Sequence, residues 1–186
     1  LMGRRLRYVS TDGDALNLHA LRNRFLRTPS VEVAEVQPGE SAGYLRWDAE
    51  FDTALAINVL EGLESPQTAL AGLHRVLKPG GLALLLAPRG PGLYGTIDQA
   101  MGQLRRFDRH GLEAMLQAEG FTVVETRTIN KAGALGWWLG GKVLRRRYLS
   151  KLPLKVFDKT VWLWRMLDPI LPWPGLSMIL VARRTP

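Results

Sequence analysis

The chain of 186 residues contains no cysteine and only three histidines. Without thiols it can form neither disulfides nor a cysteine-ligated zinc site, and it lacks a thiol nucleophile. This absence fits a reducing compartment such as the cytoplasm. No apolar run reaches the roughly 18 residues that a membrane-spanning helix needs. Before the first predicted strand there is no Gly-x-Gly-x-Gly run, and Gly3 is the only glycine there. These absences argue against disulfide-stabilised, thiol-dependent and membrane-spanning classes of protein.

The composition indicates a folded, basic domain. Hydrophobic residues make up 46% of the chain, enough for a buried core, and the net charge is +8 at pH 7. A basic surface suits phosphate-bearing substrates, acidic lipids or nucleic acid, although it is also compatible with an ordinary solvated surface. No known RNA-binding motif is present, so a nucleic-acid partner is disfavoured. We also expect no metal site.

Apolar strands alternate with amphipathic helices along the sequence, which predicts an α/β fold. The predicted strands are 6–11, 31–36, 51–57, 82–87, 121–128 and 176–182, and the longer predicted helices are 15–26, 66–77, 109–118, 134–150 and 154–168. A short helix is expected at 94–101, and 37–50 is predicted to be a polar loop. Residues 82–87 contain no polar side chain, which is typical of a strand of a parallel sheet covered on both faces. In such sheets, ligands bind beyond the carboxyl ends of the strands.

Four runs of the sequence resemble a known family. The runs FDTALAINVLEGL, from Phe51, and ALAGLHRVLKPGGLALLLAP, ending at Pro88, resemble the fourth strand, helix and fifth strand of a class I S-adenosylmethionine-dependent methyltransferase. RYVSTD, ending at Asp12, resembles the second strand with its terminal acid, and MILVAR resembles the last strand. The resemblance implies a Rossmann-like, mostly parallel sheet with flanking helices and an antiparallel last strand.

The same resemblance implies that the first strand and its Gly-rich turn are missing. Only Leu1 to Arg5 precede the acid-tipped strand, and the chain begins with Leu. We therefore expect residues 1–186 to be a partial methyltransferase domain, cut from a longer protein, with a helical lid inserted at about 131–172. The fragment itself would then bind the cofactor poorly. A genuinely shortened protein is the alternative.

The resemblance assigns S-adenosylmethionine as cofactor and four residues to its site. Asp12, at the tip of the second strand, would accept hydrogen bonds from the ribose hydroxyls, or would simply cap the next helix. Gln37 follows the third strand and could accept from the adenine amino group. Asn58 and Val59 leave the fourth strand at the switch point of the sheet and would contact the methionine portion.

Five further residues are predicted to bind a small or lipid-linked methyl acceptor. They follow the fourth and fifth strands: Glu61, Tyr94, Asp98, Arg105 and Arg106. The adjacent arginines could hold a carboxylate or phosphate, although helix-end charges often serve the fold alone. No catalytic base is identified, because packing or surface roles suit the three histidines better. A base is dispensable when the acceptor is already nucleophilic.

Two positions depart from the pattern of the resembled subgroup. Gly62 and Gln103 stand where that subgroup usually has histidines. This supports a second hypothesis, a degenerate methyltransferase-like domain that acts as a binding or membrane-associated module. A third is a dinucleotide- or nucleotide-sugar-using Rossmann enzyme, since an acid such as Asp12 alone does not distinguish adenosine cofactors. The spacing from Asn58 to Gly81 argues against it.

The segment 135–167 interleaves aromatic and basic residues. Trp137, Trp138, Trp162 and Trp164 lie among lysines and arginines. We predict that it forms two helices that cover the mouth of the active site with their aromatic face. One alternative is an interfacial helix at the inner, anionic face of a membrane, since tryptophan beside basic residues favours that boundary.

Overall fold

The computed structural model describes residues 7–148, 155 and 157–186. Strands and helices alternate, as predicted from the sequence. The order is β1 (Tyr8–Asp12), α1 (Ala15–Phe25), β2 (Val31–Glu35), β3 (Phe51–Ile57), α2 (Pro66–Val76), β4 (Leu77–Pro88), α3 (Thr96–Ala100), α4 (Arg109–Ala118), β5 (Phe121–Ile129), α5 (Lys131–Trp138), α6 (Val161–Leu167) and β6 (Ser177–Arg184). Single helical turns lie at Ser41–Tyr44, Leu60–Gly62 and Pro91–Leu93.

The strands form one four-stranded sheet and one parallel pair. In the larger sheet the order is β3-β4-β6-β5, with β3 and β4 parallel. The last strand, β6, runs antiparallel to both of its neighbours, which confirms the prediction for the end of the chain. The strands β1 and β2 pair in parallel with each other. Within the described residues, no backbone ladder joins β1 to β3.

The residues that were predicted to end the helix, Lys78–Gly81, belong to the start of β4. The helix α2 ends at Val76, and β4 begins with Leu77 opposite Phe51. Pairing resumes only with Leu82 opposite Thr53, so the intervening residues bulge out of the ladder. Gly80 has a φ of +77°, which an L side chain rarely adopts. The glycine therefore allows a helix and a strand to join without a connecting loop.

The main core lies between the four-stranded sheet and the helices α2 and α4. Its fully buried residues include Leu70, Leu77, Leu85, Leu112, Leu116, Met178 and Leu180. These side chains come from the inward-facing alternate positions of β4 and β6 and from one stripe of each helix. Each fully buried leucine contributes about 2 kcal/mol of transfer free energy. This core fixes the carboxyl ends of β3 and β4, where the site lies.

The segment 37–50 is not the polar loop that the sequence predicted. Tyr44 and Trp47 are buried in a second core cluster with Ala34, Val36 and Val76. Burial raises the pKa of the Tyr44 hydroxyl to about 12. The helix α2 accommodates the Tyr44 ring at Gly72, where an added Cβ would lie 2.5 Å from the ring. Tertiary packing of two aromatic side chains thus orders a segment whose composition is polar.

The insertion between β5 and β6 begins with a helix, and this helix ends earlier than the sequence predicted. The helix α5 continues as a π-helical turn from Leu139 to Val143. Arg145, at a φ of +48°, has left the helical conformation, so the predicted helix 134–150 does not extend that far; positions 149 and 150 lie outside the described residues. The carboxylate of Asp168 returns to the start of α5 and accepts hydrogen bonds from the backbone N–H groups of Asn130 and Lys131. The two ends of the insertion are thereby joined.

Candidate cofactor cleft and lid

A cleft of about 700 Å³ lies at the carboxyl ends of β1 and β3. Ligand sites of drug-sized molecules have volumes of this order. The polar residues Asp12, Asp14, Gln37 and Asn58 and the apolar residues Val36, Tyr44, Leu55, Ile57, Val59 and Leu63 are among those that line it. All four residues predicted to bind the cofactor line this one cleft. The fold therefore brings together side chains that are up to 47 positions apart in the sequence.

The carboxylate of Asp12 is oriented by the turn that follows it. Its Oδ1 accepts a hydrogen bond from the Asp14 backbone N–H at 2.9 Å, and its Oδ2 accepts one from Asn17 Nδ2 at 3.2 Å. The helix cap is Asp14, whose side chain accepts from the N–H groups of Leu16 and Asn17. Each oxygen of an ionised carboxylate has about two acceptor positions. Asp12 can therefore accept further hydrogen bonds from a ligand.

Gln37 is held against the same turn from the end of β2. Its Nε2 donates to the carbonyl of Gly13 at 2.8 Å. An added Cβ on Gly13 would lie 2.3 Å from Gln37 Oε1, so the turn needs a glycine for this approach. With its nitrogen occupied, the amide can offer its oxygen to a ligand as an acceptor.

The far wall of the cleft is the end of β3. Asn58 has a φ of +51°, a left-handed conformation that costs about 1 kcal/mol or more for a residue other than glycine. Its backbone N–H donates to Leu86 O at 2.9 Å, which holds the turn to the adjacent strand. On β3 itself, Leu55 and Ile57 are 64% and 58% exposed and form an apolar wall. Sequence reasoning missed these two, although their spacing of two on a strand places them on one face.

Residues 88–107, here named the lid segment, contain a buried ion pair. Arg106 Nε donates to Asp98 Oδ1 at 2.7 Å, and both side chains are almost fully buried. The other oxygen of Asp98 accepts from the Gly95 N–H at 2.8 Å and from Trp137 Nε1 at 3.0 Å. The Arg106 guanidinium lies 4.9 Å from the centre of the Trp137 ring. These contacts tie the lid segment to the insertion.

Arg106 also joins the lid segment to the sheet. Its Nη1 donates to the carbonyls of Arg89 at 3.1 Å and Leu176 at 3.3 Å. Burial lowers the pKa of the guanidinium, and the charge of Asp98 opposes that shift. Arg106 thus faces Asp98 and two backbone carbonyls at the end of β4 and the start of β6. The substrate-binding role predicted for Asp98 and Arg106 stays a prediction.

Comparison with known proteins agrees with this geometry. A family model described as a methyltransferase domain matches residues 1–83. The fold matches a putative methyltransferase from Bacillus halodurans, with a TM-score of 0.62 and 17% identity over 96% of this chain and 83% of that one. It also matches an S-adenosylmethionine-dependent methyltransferase from Mesorhizobium loti, with a TM-score of 0.65 and 13% identity over 96% of this chain and 81% of that one. The chain thus resembles the class I methyltransferases: the family model covers its first 83 residues, and the solved structures share its fold. No curated protein matches it significantly.

Class I methyltransferases share a fold that also serves other chemistry. The cyclase SpnF matches with a TM-score of 0.60 and 17% identity over 97% of this chain and 66% of that one. At such identities the structural matches show the fold alone. Activity and acceptor therefore have to be argued from the residues of this chain.

Glu61 is a buried acid in the turn that follows β3. It is 2% exposed, and its Oε2 has no hydrogen-bond partner among the described residues. Burial raises the pKa of the Glu61 carboxyl, and the charge of Arg106 partly opposes the shift. The backbone N–H of Leu104 donates to the Glu61 carbonyl at 2.8 Å, so the turn after β3 is bound to the lid segment. A neutral carboxyl here could donate as well as accept a hydrogen bond.

The remaining residues predicted to bind substrate make contacts within the lid segment or with the turn after β3. Tyr94 donates its hydroxyl to Gln103 O at 2.9 Å, and Arg105 Nη2 donates to Glu64 O at 3.1 Å. The side-chain oxygen of Gln103 is buried without a partner among the described residues. None of the five predicted residues lines the cleft of Asp12, so the role predicted for them stays a prediction.

The three histidines have the packing and surface roles that the sequence favours. His74 packs edge-on against the Phe121 ring, with 5.3 Å between ring centres, and it lies under Gly120. Burial lowers the pKa of its imidazole, and the charge of Arg184 adds to the shift. His19 contacts Asn23 on the outside of α1, and His110 is exposed.

The insertion packs directly on the lid segment. Thr96 Oγ1 donates to Gly141 O at 3.1 Å. An added Cβ on Gly95 would lie 2.9 Å from the same carbonyl, so the backbones approach closely. The insertion therefore lies against the segment that follows β4 at the carboxyl end of the sheet. The prediction that it covers the active-site mouth is compatible with this contact and stays a prediction.

Proposed function

We propose that this protein is a methyltransferase that transfers a methyl group from S-adenosylmethionine to a small or lipid-linked acceptor. The observation that carries the proposal is the cleft, in which Asp12, Gln37 and Asn58 converge from the ends of three strands. In open α/β sheets this edge is where nucleotide cofactors bind.

The residues of the cleft fit an adenosine-containing cofactor. Asp12 would accept hydrogen bonds from the ribose hydroxyls, and Gln37 Oε1 would accept from the adenine amino group. Asn58 and Val59 would contact the methionine portion, while Leu55 and Ile57 supply apolar surface. When bound, S-adenosylmethionine supplies an electrophilic methyl group, and the protein contributes position and electrostatics.

The acceptor is proposed to enter between the cleft and the lid segment. Glu61, Tyr94 and Arg105 belong to the elements that meet there, and one buried oxygen of Glu61 has no partner in the described part of the chain. The histidines lie elsewhere, so an acceptor that is already nucleophilic suits the site best. A lipid-linked acceptor would bring the enzyme, a cytoplasmic protein in this proposal, to the inner face of a membrane.

The cofactor assignment is tested by Asp12→Ala. Loss of the ionic acceptor should weaken binding of S-adenosylmethionine by about 1–3 kcal/mol, roughly five- to 150-fold, measured by calorimetric titration. The matched control is Asn17→Ala, which removes a hydrogen bond to the same carboxylate but keeps the carboxylate itself. Unchanged affinity in Asp12→Ala would refute the assignment.

The acceptor class is tested by transfer of label from S-adenosylmethionine into fractionated cell extract. Label in the organic phase supports a lipid-linked acceptor, and label in the aqueous small-molecule fraction supports a free one. Binding of the cofactor without transfer to any fraction would instead favour the degenerate, non-catalytic hypothesis that Gly62 and Gln103 motivated.

A further inference from the structure

The helix α6 has an apolar face that nothing in the described structure covers. Trp162, Met166 and Ile170 are 62%, 69% and 74% exposed, and their spacing of four places them on one side of the helix and of the turn that follows it. The other side packs inward: the ring of Trp164 stacks on Phe157, with 6.2 Å between ring centres. The helix is therefore apolar on both sides, and its outer side stays exposed in the described structure.

The end of α5 and its π-helical extension expose a second apolar group. Trp138, Leu139, Val143, Leu144 and Tyr148 are each about half exposed or more. Four basic residues lie among them, and all four are exposed: Lys142, Arg145, Arg146 and Arg147. Apolar side chains interleaved with basic ones in this way suit the boundary between lipid headgroups and acyl chains.

The charge of the chain is concentrated in this insertion. Residues 131–172 contain nine basic and two acidic residues, hence a net charge of +7 out of +8 for the whole chain. One of the two acids, Asp168, is engaged at the start of α5. A second copy of the same basic face would be repelled, whereas an anionic surface would be attracted. Charge complementarity therefore selects an acidic partner for these apolar groups.

We infer that the insertion docks on anionic lipid bilayers through the apolar face of Trp162, Met166 and Ile170 and the basic, apolar segment 138–148. In the part of the chain that the structure describes, no helix is long and apolar enough to cross a membrane. The contact is thus interfacial. It goes beyond the proposed methyl transfer and does not depend on it.

The test is co-sedimentation of the protein with phosphatidylcholine vesicles, with and without phosphatidylglycerol, at low and high salt. Binding is expected only to vesicles that contain phosphatidylglycerol, and it should weaken as salt rises. Equal binding to both vesicle types, or none at low salt, would overturn the inference. A protein that self-associates through Trp162, seen as a dimer that Trp162→Ser converts to monomer, would also overturn it.

Matched variants locate the surface. The basic set is Lys142→Gln, Arg145→Gln and Arg147→Gln, and its control is Arg22→Gln, Arg24→Gln and Arg27→Gln on and just beyond α1. The apolar pair is Trp162→Ser and Met166→Ser, and its control is Leu16→Ser and Leu26→Ser, at equally exposed leucines. Each basic residue near an anionic surface is worth about a fivefold change in binding, so the basic set should lose roughly a hundredfold. The apolar pair should lose more than tenfold.

The controls decide whether the insertion is responsible. Both control sets should bind vesicles like the unmodified protein. Equal losses in the controls would show a nonspecific charge effect and overturn the assignment to the insertion. All substituted side chains are exposed, so circular dichroism should show an unchanged fold. Cofactor affinity should also be unchanged in every variant, which separates failure of this inference from failure of the proposed function.

Discussion

Replacing Asp98 by Asn should destabilise the fold more than any exposed charge change. The carboxylate of Asp98 receives three hydrogen bonds, from Arg106 Nε, the Gly95 N–H and Trp137 Nε1. Asn has only one acceptor oxygen. Its NH₂ group would take the place of the other carboxylate oxygen and would face one of these N–H donors without forming a hydrogen bond. Arg106 would keep its positive charge in the protein interior with its direct partner gone.

The expected cost is about 3–5 kcal/mol, because removal of one partner leaves an uncompensated buried charge. That is a large part of the roughly 5–15 kcal/mol by which domains are stable. The negative charge of Glu61 also acts on Arg106 and so reduces the cost. Among the described residues, however, Glu61 makes no hydrogen bond that would replace the one lost from Asp98. The control is Lys78→Gln, which breaks an exposed pair with Asp52 and should cost less than about 1 kcal/mol.

Urea unfolding, followed by tryptophan fluorescence, measures both free energies. Combining Asp98→Leu with Arg106→Met should cost less than the sum of the two single changes, since each alone leaves a buried charge. If Asp98→Asn costs no more than Lys78→Gln, or if the double change is additive, the ion pair does not hold the lid segment as argued.

Two further changes test the acid after β3 and the start of β6. Folding raises the pKa of the Glu61 carboxyl above its ordinary value of 4.5. The resulting contribution to stability is fully present below pH 4.5 and is lost as the pH rises through the folded pKa. Glu61→Gln should therefore be more stable than the unmodified protein at neutral pH, with the difference vanishing below pH 4.5 in urea titrations; a pH-independent difference would contradict it. Gly175→Ala should cost at least about 2 kcal/mol, because its Cβ would lie 2.2 Å from Ile129 O. The control is Gly92→Ala, which meets no atom within 4 Å, and equal thermal melting of the two variants would be contrary to expectation.

The cleft could be predicted because its residues follow strands that the sequence marks clearly. Strand β3 was predicted with its observed bounds, 51–57, and Asp12 and Gln37 stand at or just beyond the ends of the other two strands. In a parallel arrangement, strand ends converge whatever the details of packing. Their positions at strand ends, together with the resemblance to the methyltransferase family, were therefore sufficient to predict Asp12, Gln37 and Asn58 at one site.

The lid network could not be predicted, because its partners are distant and its chemistry is ambiguous in sequence. Arg106 was interpreted as a substrate ligand, while its partners Asp98 and Trp137 lie 8 positions before it and 31 after it. An arginine pairs equally well with a substrate carboxylate or an internal one. Tyr44 and Trp47 illustrate the same limit. They lie in a segment of polar composition, yet they pack against Ala34 and Val36 nearby and against the distant Val76.

The two kinds of residue around the site also imply a division of roles. The cleft presents groups with acceptor capacity left over, Asp12 and Gln37, at the edge of a rigid sheet. In the lid segment, by contrast, the charged side chains of Asp98 and Arg106 pair with each other and contact Trp137 of the insertion. A buried ion pair contributes little net stability, yet losing either partner is costly, so it fixes one arrangement of the segments it joins. Tying the insertion to the lid segment in this way would hold its exposed basic face in a constant relation to the cleft. A lipid-linked acceptor bound at that face would then meet the cofactor at a fixed depth.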